Sequence, residues 1–101
     1  MENQREYAVR GKNKIKLKPP ARYHVIMLND DFTPMDFVVW ALKTYFDKSE
    51  NEATALMLEV HHGKKAIVET YVYDVAVTKS CKVIQEARDR GYPFKVVVDK
   101  E

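Results

Sequence analysis

The sequence predicts an α+β domain in which a three-stranded, mainly antiparallel sheet carries three helices on one face. Runs that alternate polar and apolar residues, or are rich in β-branched and aromatic ones, indicate strands at residues 22–28, 65–73 and 94–98. Apolar residues at helical spacing indicate helices at residues 34–46, 49–63 and 74–90. The order is therefore β-α-α-β-α-β, and a two-layer domain is the economical way to bury these apolar stripes.

Composition and length are those of one ordinary globular domain. The 101 residues are 46% apolar and 32% charged, and a net charge of +2 does not indicate a nucleic-acid partner. The one cysteine excludes an internal disulfide. The first residues lack the apolar run of a signal peptide, and no apolar run is long enough to span a bilayer. We expect a cytoplasmic monomer without a nucleic-acid or membrane partner.

The first twenty residues differ from the rest. Residues 1–20 are polar, have no apolar period and end in Pro19-Pro20, so we expect a flexible tail before a core domain at 21–101. Alternating lysines between residues 12 and 18 could contact nucleic acid or an acidic partner, although such runs are commonly just solvated.

The first strand and first helix have clear signals. In the strand Arg22–Leu28, Tyr23, Val25 and Met27 fall on one face. Thr33 is predicted to cap the following helix through its hydroxyl, with Pro34 at the first helical position. The predicted buried face of this helix consists of Val38, Val39, Leu42 and Phe46.

The two later helices are bounded by recognisable residues. Ser49 and Glu52 form a capping-box pattern, and Gly63 is a plausible stop for the second helix. Gly91 and Pro93 end the third helix. Its predicted inner stripe, in which the cysteine would be inert core filling, is Val77, Cys81, Ile84 and Ala87.

Residues 29–38, between the first strand and its helix, suggest a small pocket. Asn29, Asp30 and Asp31 bring hydrogen-bond acceptors beside the apolar Phe37 and Val38, which suits a ligand with a cationic head and an apolar body. The simpler alternative is that the two carboxylates only cap the helix and favour its dipole.

His61 is a second candidate. It lies on the same side of the second helix as Met57 and Val60, where an imidazole could form the polar rim of an apolar site. It could equally be an ordinary histidine near a helix C-terminus. His61-His62 lacks a third ligand at metal-binding spacing, and no nucleophile is paired with a base.

Two motifs carry a family resemblance. The first motif is the run Asn29-Asp30-Asp31-Phe32-Thr33-Pro34-Met35, and the second is Met57 with Val60-His61; Asp74-Val75-Ala76 follows further on. Together these residues resemble ClpS, the adaptor of the bacterial N-degron pathway. The resemblance covers residue 18 to the C-terminus. It implies a fold shared with the C-terminal domain of the ribosomal stalk protein.

The resemblance implies a recognition module without enzymatic activity or cofactor. ClpS-like proteins bind peptides that begin with Phe, Tyr, Trp or Leu and deliver them to a Clp ATPase of the ClpA or ClpC type, for degradation by ClpP. By motif position, Asn29, Asp31 and His61 would hold the peptide's α-ammonium, with Asp30 supporting them. The side-chain pocket would be lined by Thr33, Met35, Val38, Met57, Val60 and Phe94.

Other positions follow from the same resemblance. Asp74 and Lys79 would face the ATPase, which would also engage the tail. Phe94 stands where the family more often has leucine, which suggests a shallower pocket floor. Gly63 comes earlier than in the family, so the end of the second helix and its turn can differ.

Two rival functions remain at this point. A ribosomal-stalk-like interaction domain would share the fold without needing Asn29, Asp31 and His61. A small acid–base hydrolase using Asp30 and His61 would need a nucleophile or metal that the sequence does not offer.

Overall fold

A computed structural model describes residues 18–101, and the elements follow the predicted order. The strands are β1 (Arg22–Leu28), β2 (Lys65–Val72) and β3 (Lys95–Lys100). The helices are α1 (Met35–Phe46), α2 (Glu50–Gly63) and α3 (Tyr73–Asp89). Residues 1–17 of the predicted tail lie outside the described part of the chain, so the tail stays a prediction.

The sheet has the strand order β2-β1-β3, and both pairings are antiparallel. The alternation predicted for β1 is confirmed, because Val25 and Met27 share one face and are fully buried beneath the helices. On the opposite face Ile67 and Val97 are about half exposed, so that face is open. The predicted two-layer α+β fold is confirmed.

The register of the sheet decides where the candidate site lies. Leu28, the last residue of β1, pairs with Lys65 at the start of β2 and with Lys95 at the start of β3. The chain therefore leaves β1 between the end of α2 and the residue that precedes β3. Three segments far apart in sequence meet at this end of the sheet.

The start of α1 differs from the prediction. Pro34, not Thr33, is the N-cap residue, and its carbonyl accepts hydrogen bonds from the N–H groups of Phe37 and Val38. Thr33 does not cap the helix because its hydroxyl donates to Asp30 Oδ2 at 2.8 Å. The capping box of α2 is present as predicted, with the Ser49 and Glu52 side chains each accepting from the other's N–H.

The turn after α2 also differs. Gly63 is the last helical residue, and Lys64 adopts the left-handed conformation at φ 75°. The Lys64 carbonyl accepts a hydrogen bond of 2.8 Å from the N–H of Asn29. This bond ties the end of α2 to the loop that follows β1.

Ala87 of the predicted inner stripe of α3 is buried as expected, but Val77, Cys81 and Ile84 each lie one position after the residue that is buried. The residues buried against the sheet are Ala76, Ser80, Val83 and Ala87. Cys81 is exposed, so it is not core filling, and Val77 and Ile84 lie at the flank of the interface. Ala76 and Ser80 have short side chains, which let the helix backbone approach the sheet closely. Among residues 18–101, no helix is long and apolar enough to cross a membrane.

Candidate functional site

A pocket of about 320 Å³ opens between the loop after β1, α1 and α2. Every residue that the sequence placed in the binding site lines this pocket. They are Asn29, Asp30, Asp31, Thr33, Met35, Val38, Met57, Val60, His61 and Phe94. The structure thus brings the predicted polar and apolar groups together around one cavity.

The loop after β1 is organised by the carboxylate of Asp30. Its Oδ1 accepts from the N–H of Phe32 at 2.8 Å and from the N–H of Thr33 at 2.7 Å, and its Oδ2 accepts from the Thr33 hydroxyl at 2.8 Å. Such a carboxylate closes a local turn. Asp30 therefore shapes the loop, which leaves Asn29 and Asp31, both exposed, as the loop's other side-chain acceptors at the pocket.

The same bonds affect the charge of Asp30. Partial burial opposes ionisation, but the hydrogen bonds from the Thr33 hydroxyl and the two N–H groups outweigh it and hold the pKa of Asp30 below its usual value. Lys95 adds a smaller attraction in the same direction. The carboxylate therefore stays ionised throughout the neutral pH range.

The apolar wall of the pocket comes from three segments that are far apart in the sequence. Val38 of α1, Val60 of α2 and Phe94 before β3 are buried, and Met57 is partly buried. Met35, at the first turn of α1, is 47% exposed. Met35 is therefore not part of the buried core and lies at the solvent side of the pocket.

His61 lies in the last turn of α2 and is exposed beside this wall. Its imidazole and the side chains of Asn29 and Asp31 can all accept hydrogen bonds from a cationic donor. No group of three or more His, Cys, Asp and Glu side chains within residues 18–101 could hold a metal ion. The arrangement suits the binding of an ammonium group next to an apolar side chain.

Two pocket residues were missed by the sequence reasoning. Phe32, which is 78% exposed, and Pro34 also line the cavity. Both belong to the motif that predicted the pocket, and a large apolar side chain in a polar loop was the available signal.

Asp74 and Lys79 lie away from the pocket, on α3. Lys79 Nζ donates to the Tyr45 carbonyl at 2.8 Å and lies 5.6 Å from the ring centroid of Tyr71. It thereby ties α3 to the end of α1. Asp74 stands in the first turn of α3 between the exposed apolar residues Tyr73 and Val75.

Comparison with known proteins identifies the family. The family model described as the ATP-dependent Clp protease adaptor protein ClpS matches residues 18–97. ATP-dependent Clp protease adapter proteins ClpS from Burkholderia mallei (strain SAVP1) and Burkholderia pseudomallei (strain 668) are each 40% identical over 98 residues, which cover 97% of this chain and 94% of theirs.

A solved structure agrees with these matches. Agrobacterium tumefaciens ClpS2 bound to L-phenylalaninamide superimposes with a TM-score of 0.80 at 32% identity, over 82% of this chain and all of that one. Members of the matched family are adaptors rather than enzymes, so the hydrolase alternative is wrong. The chain belongs to the ClpS family of Clp protease adaptors.

Proposed function

We propose that this adaptor binds the N-terminal Phe, Tyr, Trp or Leu of substrate proteins through their free α-amino group. The observation that carries the proposal is the meeting of Asn29, Asp31 and His61 with the buried apolar wall in one pocket. The related ClpS2 is bound to L-phenylalaninamide, a ligand with a free α-amine and a benzyl side chain.

Energetics explain why both parts of the ligand are needed. A hydrogen bond that involves a charged group contributes roughly 1.5–3 kcal/mol. Burial of a large apolar side chain contributes about 1.5–3 kcal/mol. Association costs roughly 4–15 kcal/mol, so neither part alone gives useful affinity.

The head group is tested with a fluorescent peptide that begins with Phe and with its N-acetylated form. Acetylation removes the charge and two donors, so the acetylated peptide should show no measurable binding by fluorescence anisotropy. Asp31→Ala should weaken binding by about tenfold or more, because it removes a charged acceptor. His61→Ala should weaken it in the same direction.

Matched controls lie next to these residues. His62→Ala removes an exposed imidazole that does not line the pocket, and Asp36→Ala removes an exposed carboxylate from the first turn of α1. Both should bind like the wild type. Equal affinity for the free and acetylated peptides would refute the proposal and favour a ribosomal-stalk-like interaction domain.

Delivery to a Clp ATPase of the ClpA or ClpC type, for degradation by ClpP, is the second half of the proposal. Asp74 and Lys79 would face the ATPase, on a surface separate from the pocket. Asp74→Lys should therefore slow degradation of a Phe-initiated substrate while its peptide affinity stays unchanged. We further propose that the adaptor works as a monomer in the cytoplasm.

A further inference from the structure

A second cavity, of about 530 Å³, adjoins the pocket. It lies between the C-terminal half of α3 and β3, and Ile84 and Tyr92 contribute to its lining. In the described part of the chain, Phe94 is the residue that lines both cavities. Phe94 therefore stands where the smaller pocket meets a larger empty space.

The ring of Phe94 is held in place. Phe94 is only 5% exposed and packs edge-on against Phe37, with 6.1 Å between ring centroids and 84° between ring planes. Phe37 is itself buried and packs in the same manner against Tyr92 at 5.1 Å. Such interlocked rings resist displacement because protein interiors are close-packed.

We propose that the Phe94 ring is the partition between the two cavities and limits the size of the first residue that this adaptor accepts. The inference rests on the proposed function and deepens it. At about 320 Å³ the pocket is near the lower end of ligand sites, which span about 300–1,000 Å³. A bicyclic indole needs more room than a leucine or benzyl side chain, so Trp-initiated peptides bind most weakly.

The test compares three peptides that differ only in a first residue of Leu, Phe or Trp. Phe94→Leu keeps an apolar side chain but shortens the partition, and opens the pocket toward the second cavity. The affinity for the Trp peptide, relative to the Leu peptide, should rise by about tenfold in this variant, as expected when overpacking is relieved. Fluorescence anisotropy measures all three affinities.

Ile84→Ala is the matched control. Ile84 lines the second cavity but not the pocket, so its truncation enlarges the second cavity and leaves the partition intact. The ratio of Trp to Leu affinity should then equal that of the wild type. Thermal unfolding confirms that each variant is folded, and Phe94→Met, which keeps more of the volume in a flexible chain, replaces Phe94→Leu if the latter unfolds.

The outcomes are distinct. If Phe94→Leu changes all three affinities by the same factor, or if Ile84→Ala shifts the ratio equally, the partition is refuted while the proposed function stands. If the wild type binds none of the three peptides, the proposed function has failed and the size limit with it.

Discussion

Asp30 shows how one carboxylate can shape the loop of a binding site. All three hydrogen bonds that it accepts come from Phe32 and Thr33, which lie two and three residues further along the loop. The carboxylate thus fixes the path of the chain between Asn29 and Thr33. The expectation that Asp30 supports the ammonium-binding residues stays a prediction, and this geometry gives it a mechanism.

The lowered pKa of Asp30 predicts a pH-dependent stability. A carboxylate whose pKa is lower in the folded state stabilises the fold above its ordinary value of 3.8, and this contribution is lost as the pH falls through the folded-state pKa. Asp30→Asn should therefore lower the free energy of unfolding at pH 7, and the difference from the wild type should shrink below pH 3.8. Urea unfolding at several pH values measures this.

Asp36→Asn is the control, because it removes a charge from the first turn of α1 without touching the loop. The hydrogen bonds that Asp30 accepts remain in this variant, so its free energy of unfolding at pH 7 should stay closer to that of the wild type. A constant difference between Asp30→Asn and the wild type from pH 7 to pH 3 would contradict the role of Asp30.

The exposed position of Met35 beside the pocket predicts a second effect, on which first residues of a peptide can bind. Val and Ile branch at Cβ, so their bulk meets whatever lines the entrance of the pocket, whereas Phe and Leu carry their volume deeper. Displacing Met35 from the pocket entrance costs about 1–3 kcal/mol, which corresponds to roughly fivefold to 150-fold in affinity. Met35→Ala should therefore admit Ile- and Val-initiated peptides while Phe- and Leu-initiated peptides keep most of their affinity.

Leu58→Ala provides the comparison, since Leu58 is a similarly exposed apolar residue on α2 that does not line the pocket. It should leave the exclusion of Ile and Val intact. If Met35→Ala weakens every peptide alike, the gate lies elsewhere, and Thr33 or Phe94 becomes the candidate.

At the scale of elements, α3 illustrates a limit of apolar patterns. Its buried positions hold Ala76, Ser80, Val83 and Ala87, whereas Val77 and Ile84, which suggested a different stripe, are only partly buried. Ser80 is 3% exposed, and its hydroxyl is buried without a hydrogen-bond partner in the described part of the protein. An unpaired buried hydroxyl costs stability.

Ser80→Ala should therefore raise the free energy of unfolding by about 1 kcal/mol. Thr78→Ala, at an exposed position of the same helix, should gain roughly 0.5 kcal/mol or less, from helix propensity alone. Urea unfolding of both variants separates the two contributions. A loss of stability in Ser80→Ala would mean that the hydroxyl makes a favourable interaction in solution.

At the scale of the whole molecule, the antiparallel register creates the site. Because β1 is central and ends opposite the first residues of both neighbouring strands, its loop meets the end of α2 and Phe94 together. The hydrogen bond from the Asn29 N–H to the Lys64 carbonyl holds this loop against the end of α2. All pocket residues thus belong to the region from Asn29 to Phe94.

This location predicts a division of labour with the first seventeen residues. Deleting residues 1–17 leaves every described pocket residue in place, so peptide affinity should be unchanged. Degradation of a Phe-initiated substrate by the ATPase and ClpP should stop, since the tail is proposed to be the segment that the ATPase engages. A truncated protein that supports full degradation would contradict this division.

The sequence by itself determined the order of the elements, the alternation of the two faces of β1 and the capping box of α2. These depend on local chemistry, namely alternation, helical spacing and capping, which residues close in sequence express directly. The motif from Asn29 to Met35 is local in the same sense, because its residues lie on one loop and the first turn of one helix.

Only the tertiary structure decided how those parts are used. The Thr33 hydroxyl could cap α1 or bind Asp30, and the loop conformation selected Asp30. The inner face of α3 depends on how closely that helix approaches the sheet, which apolar spacing within the helix does not encode. Likewise, Phe94 lines the pocket only because three distant segments meet at one end of the sheet, and such a meeting follows from packing across the whole chain rather than from local sequence.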